Sequence, residues 1–278
     1  MAQADQSRFK STIIGPSFAR APEPVRAQPP PEPAVIERPI ALVRRADEVK
    51  DGTLATRAGA AHSLVTEAVT LPLEPDARLC MLNGAASQQA RAYRLLRHRL
   101  LAQGDPRVIA VSSAEPGEGK TTCAANLALA LADETFARVL LVEANLKRPA
   151  FAPLFGYAPA PSFVDRLVQF RDATPPYRVA GVTGTRLHLA GLPAPAAPGA
   201  RLDRLLLGVV LTDLRNAYDY IVIDAASVLE SADADVAGEC ADGVLLVART
   251  QKTRRGALER AIAELRPSRV LGTVLLDS

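Results

Sequence analysis

No stretch of this 278-residue sequence reaches the ~18 to 20 apolar residues that a bilayer-spanning helix needs. Its start, Met1-Ala2-Gln3-Ala4-Asp5-Gln6, also lacks the apolar core of a signal segment. The chain is therefore expected in the cytoplasm, reaching the inner face of a membrane only through a partner. Cysteine is scarce: Cys80, Cys123 and Cys240 show no C-x-x-C spacing, and no histidine stands near enough in sequence to complete a zinc site. They read as reduced, packed thiols. An excess of one charge is missing too. With 33 Lys and Arg against 30 Asp and Glu, the net charge of +3 is too small to argue for a nucleic-acid target.

What the sequence has in quantity is core material and proline, in different places. Hydrophobic residues make up 48% of it, enough for a sizeable core. The 22 prolines fall unevenly and are densest before residue 40, as in Gln28-Pro29-Pro30-Pro31-Glu32-Pro33. Apolar patches there, such as Ile40 to Val43, are too isolated to bury much area. Residues 1–80 are thus expected to be a disordered Pro/Ala/Arg-rich arm, and residues 81–278 a folded domain.

Within that domain, good helix formers from Ala85 to about Gln103, with Tyr93, Leu96 and Leu100 at helical spacing, predict an amphipathic helix with a basic face, either solvated or serving assembly. Then comes the β-branched run Arg107 to Ser113, a Gly-rich loop, and a helix over Thr121 to Ala132. The alternation continues with strand 139–142, a helical turn near Phe163 to Phe170, strand 187–190, helix Leu202 to Tyr218 and strand 220–223. Strand 243–248, helix Arg255 to Leu265 and strand Val270 to Leu276 complete it. Nearly continuous apolar strands separated by helices imply an α/β fold with a mainly parallel sheet covered on both faces.

The loop Ala114-Glu115-Pro116-Gly117-Glu118-Gly119-Lys120-Thr121 carries the chemistry. Backbone N–H groups can converge on phosphate oxygens only where side chains do not obstruct, beside a helix N-terminus aimed at the anion. Gly117 and Gly119 meet that need, Lys120 can reach the β- and γ-phosphates, and the Thr121 hydroxyl can ligate Mg²⁺. Gly117, Glu118, Gly119, Lys120, Thr121 and Thr122 are the candidate ATP-binding residues, Thr122 either assisting or simply starting the helix. Asp224 ends the apolar run Tyr220-Ile221-Val222-Ile223 at the sheet edge where phosphates sit. A strand-terminal Asp is often a turn residue, but the loop upstream favours a carboxylate holding Mg²⁺ with Thr121. Glu143 is the only acid in the segment Leu140 to Pro149, which by itself reads as an ordinary loop after a strand.

Together these segments resemble the cytoplasmic domain of the bacterial tyrosine kinases and related polysaccharide co-polymerase ATPases, over residues 78–276. The family's S-x-x-P-G-E-G-K-[ST]-[TS] is matched up to Thr122, its L-[LIV]-I-D-A-D-L-R-[RK]-P by Leu140 to Pro149, and its D-x-[IV]-I-[IV]-D by Asp219 to Asp224. Asp233-Ala234, Ala241 to Arg249 and Lys252-Thr253 are similar as well. The resemblance implies a P-loop fold, ATP and Mg²⁺ as cofactors, and Lys120, Asp224 and Glu143 as catalytic residues.

The departures weigh on turnover. Glu143 and Asn145 stand where the family has two aspartates, and an amide can neither take a proton nor supply charge to a metal. The family's tyrosine-rich tail has no counterpart, the last tyrosine being Tyr220. Its oligomerisation motif E-x-x-R-x-x-R is matched by Arg94 and Arg97, with Arg91 in place of the glutamate. Ala225-Ala226 replaces Pro-Pro, and Leu276 replaces an adenine-reading Asn. The expectation is an ATP-binding regulator of exopolysaccharide or capsule synthesis or export, with kinase activity weak or lost. It would act with a membrane-embedded co-polymerase or chain-length regulator, and a homo-oligomer stays open. The alternatives are an active tyrosine kinase acting in trans and a positioning ATPase. That last class usually carries a further lysine, absent at Glu115 and Pro116.

Overall fold

The computed structural model describes residues 64–72, 74–134, 137–159 and 177–277. Eight strands form one sheet: β1 Leu64–Val69, β2 Val108–Ser113, β3 Val139–Glu143, β4 Tyr177–Val182, β5 Leu187–Ala190, β6 Tyr220–Asp224, β7 Gly243–Arg249 and β8 Val270–Leu276. Among the described residues the helices are α1 Cys80–Asn83, α2 Gln88–Ala102, α3 Lys120–Glu134, α4 Phe151–Phe155, α5 Arg204–Leu214, α6 Asp233–Cys240 and α7 Arg255–Glu264. None is long and apolar enough to cross a membrane.

The sheet runs β1-β4-β5-β3-β6-β2-β7-β8, and every neighbouring pair is parallel except the β4–β5 hairpin. All six residues of β2 are buried because alternate side chains enter cores on opposite faces. Ile109 and Val111 pack with α2 and α3 on one face, while Val108 and Ala110 pack with α5, α6 and α7 on the other. That double burial is why the strand reads as an unbroken apolar run.

Helix α3 is apolar nearly all round, Cys123 to Leu131 being buried, because it lies between the sheet and α2. Helix α2 starts at Ser87, whose side-chain oxygen accepts from the Ala90 N–H at 3.1 Å and satisfies one of the helix's open donors. Two arginines of its basic face turn onto the chain itself. Arg97 is buried and donates to the Ala130 carbonyl of α3 at 2.9 Å, and Arg94 pairs with Asp133 at 2.8 Å.

The expected α/β class and mainly parallel sheet are present. Strand β1, however, lies on the N-terminal side of the boundary expected at residue 81 and pairs in register with β4, so that boundary falls inside the fold. The rest of the proposed arm, residues 1–63, and the helical turn near Phe163 to Phe170 lie outside the described residues. Elements β4, α1, α4 and α6 carried no strong periodic signal. They are short, and α4 contains Pro153 and α6 contains Gly238.

Candidate functional site

Strands β3, β6 and β2 lie side by side, with Glu143 opposite Asp224 and Asp224 opposite Val111, so three strand ends open on one crevice. The chain leaves β2 for α3 and β3 on one side and reaches β7 on the other, which is where an open α/β sheet binds ligands. The Gly-rich loop leaves β2 at this point and runs into the N-terminus of α3. Gly117 and Gly119 adopt φ of +76° and +95°, backbone that other residues rarely take. A Cβ on Gly117 would stand 2.5 Å from Lys252 Nζ, and one on Gly119 2.6 Å from Leu276 Cδ1.

Lys120 is buried at the first turn of α3, and the Thr121 hydroxyl donates to Asp224 Oδ2 at 2.7 Å. The other oxygen, Asp224 Oδ1, is buried and has no hydrogen-bond partner among the described residues. Burial pushes the Asp224 carboxyl up to about 7. The Lys120 charge and the Thr121 hydrogen bond pull against that rise, and the Glu143 charge adds to it. A buried acceptor with nothing to accept from, beside a threonine hydroxyl and a phosphate-type loop, suits a hard cation with oxygen ligands.

Glu143 is placed differently from the role expected of it. Its Oε1 accepts the N–H groups of Ala150 and of Phe151, the latter at 2.8 Å, and its Oε2 accepts that of Leu192 at 2.8 Å. Burial raises its carboxyl, and these three backbone donors oppose the rise. Its oxygens are occupied in joining β3 to the start of α4 and to the chain after β5. Asn145 is buried beside it and carries no charge.

Glu118 is also turned inward: its Oε2 accepts the Glu115 N–H at 2.9 Å and its Oε1 accepts from the Thr253 hydroxyl. Its carboxylate is thus bound to the protein's own loop rather than aimed into the crevice. Thr122 lines a cavity of about 550 Å³ that continues from the loop past Gly119 to Arg78, Arg249 and Leu276. Asn126, which no sequence motif marks, organises that wall. Its Oδ1 accepts from Met81 N–H at 3.1 Å and from the Cys80 thiol at 3.2 Å, while its amide donates to the Arg78 and Thr122 carbonyls at 2.8 and 2.9 Å. The available signal was a lone amide within an Ala/Leu helix.

No protein-family profile matches the chain. The succinoglycan biosynthesis transport protein ExoP of Rhizobium meliloti is 33% identical over 219 residues, covering 74% of this chain. Those residues span only 27% of that longer protein. The tyrosine-protein kinase YwqD of Bacillus subtilis is 28% identical over 170 residues, 60% of this chain and 70% of the kinase. Among solved structures, the VpsO kinase domain is 26% identical with a TM-score of 0.54, covering 69% of this chain and 100% of that one.

Proposed function

From the premise that the chain belongs to the bacterial tyrosine-kinase family, we propose that it binds ATP with Mg²⁺ and regulates the synthesis or export of a polysaccharide, with phosphotransfer weak or lost. The observation that carries the binding half is the Thr121–Asp224 contact, which sets a buried, half-unpartnered carboxylate under the phosphate loop. Lys120 and the N–H groups of the loop and first turn of α3 would hold the phosphates, while Thr121 and Asp224 would hold Mg²⁺. When bound, the cation neutralises charge on the β- and γ-phosphates. Asp224 would hold the cation in its ionised form, which the neighbouring Lys120 charge favours.

Reduced turnover follows from the same crevice. Proton abstraction from an attacking hydroxyl needs a base with a free oxygen, and Glu143 has given both of its oxygens to backbone donors. Asn145 supplies no charge. The polysaccharide setting rests on the similarity to the succinoglycan biosynthesis transport protein, and a membrane-embedded co-polymerase is the partner such a role implies.

The test is to incubate the purified chain with labelled ATP and Mg²⁺, following bound nucleotide, released phosphate and phosphoprotein. Tight binding with little turnover is expected. Lys120→Ala should weaken binding by about 100-fold or more, the loss of a buried charge-assisted contact to phosphate. An Ala variant that binds as the parent does would sink the reading. Stable label on tyrosine would replace the regulator by a kinase acting in trans.

A further inference from the structure

The connection from β7 to α7 lies against the phosphate loop. Lys252 Nζ donates to the Gly117 carbonyl at 2.9 Å, and the Thr253 hydroxyl donates to Glu118 Oε1. The Thr253 oxygen also accepts the Arg249 N–H at 2.8 Å, so one hydroxyl ties the end of β7 to the phosphate loop. A tight turn, with Gln251 at φ +61° and the Thr253 N–H bonded back to the Arg249 carbonyl at 2.9 Å, sets the two side chains in place. The Thr250 N–H then anchors the turn to the Leu276 carbonyl at 2.8 Å.

These contacts meet a specific need of the loop. Two glycines at positive φ give it the shape that turns N–H groups toward an anion, yet the same glycines leave it free to relax when no anion is there. Something must hold it in the meantime. Lys252 does so through the Gly117 carbonyl, which shares a peptide unit with the Glu118 N–H. A cation on that oxygen polarises the unit and makes its N–H a stronger donor. Thr253 acts through Glu118, a buried carboxylate that would repel phosphate if it were aimed into the crevice. With its two oxygens taken by Glu115 N–H and Thr253, Glu118 instead closes the loop on itself.

We propose that Lys252 and Thr253 are positioning residues for nucleotide binding, bracing the phosphate loop through the Gly117 carbonyl and Glu118 rather than by touching the nucleotide. The proposal rests on the reading of this loop as the ATP site.

Its test compares the parent chain with Lys252→Met, Thr253→Val and Thr253→Ser. The affinity for a fluorescent ATP analogue with Mg²⁺, its displacement by inorganic tripolyphosphate, and the thermal midpoint without nucleotide are measured for each. Lys252→Met and Thr253→Val should each bind the analogue about tenfold more weakly, the effect of one lost charge-assisted hydrogen bond. Tripolyphosphate affinity should fall by the same factor, since the effect lies in the phosphate loop and not in the base pocket. Thr253→Ser, which keeps the hydroxyl, should bind as the parent does. Lys252 is exposed, so its Met variant should keep the parent's midpoint within about 2 °C, and it decides the case if Thr253→Val folds poorly. Parent-like affinity in Lys252→Met, or a Ser variant as weak as the Val one, would overturn the brace. A parent that does not bind the analogue would overturn the ATP site instead.

Discussion

Burial holds the Asp224 carboxyl near 7 against an ordinary value of 3.8, so the folded chain keeps this proton more tightly than the unfolded chain does. The resulting stabilisation is complete below about 3.8 and is lost as pH rises to about 7. Asp224→Asn, which is neutral throughout, should lack that slope. Without nucleotide, its stability relative to the parent should grow between pH 4 and pH 7 by up to about 1.4 kcal/mol per pH unit, as read from urea unfolding. With Mg²⁺ and ATP the order should reverse, because the amide gives the cation no charge and the variant loses the stabilisation that ligand binding brings. Equal slopes in the two proteins would show that Asp224 titrates normally. Thr121 and Lys120 belong to the same reading, and both were legible because a phosphate loop writes its glycines, lysine and threonine in consecutive positions.

At the level of elements, Glu143 binds three segments together: the end of β3, the first residues of α4 and the chain leaving β5. Its donors lie 7, 8 and 49 residues away in sequence, which is why a motif comparison could place an acid here but not say what it holds. Glu143→Ala should strand three buried N–H groups and lower stability by about 3 kcal/mol or more in urea unfolding. Glu143→Gln should cost less, since its carbonyl can still serve one side of the junction while its NH₂ confronts the remaining donor. ATP affinity of the Gln variant should stay near the parent's. A free catalytic base would give the opposite pattern, with stability unchanged and any phosphate release abolished. The short elements β4, α1, α4 and α6 share this dependence on context, for they are held by neighbours rather than by periodicity.

For the molecule as a whole, α2 bears on assembly. Arg94 and Arg97, matched to a family oligomerisation motif, are engaged within their own chain by Asp133, the Ala85 carbonyl and the Ala130 carbonyl of α3. Their joint replacement, Arg94→Ala with Arg97→Ala, is therefore expected to lower the thermal midpoint while leaving the mass in solution unchanged, with or without ATP and Mg²⁺. Light scattering at matched concentrations checks it. A ring that forms in the parent on adding nucleotide and is lost in the variant would mean these arginines serve a second copy of the chain. The exposed Arg91, where the motif has a carboxylate, would then face like charge across the interface.

The sequence by itself determined the layered α/β plan, because strands buried on both faces must be apolar throughout and helices between them must be long enough to cross over. It also determined the phosphate loop and the acid at the end of β6, whose chemistry needs particular residue types in a short span. Tertiary structure alone decided what those residues face. It turned Glu143 and Glu118 onto backbone donors, brought Lys252 and Thr253 onto a loop 135 residues away, and folded the α2 arginines against α3. Which oxygen meets which donor depends on distances between segments remote in sequence, and only the packed chain sets those.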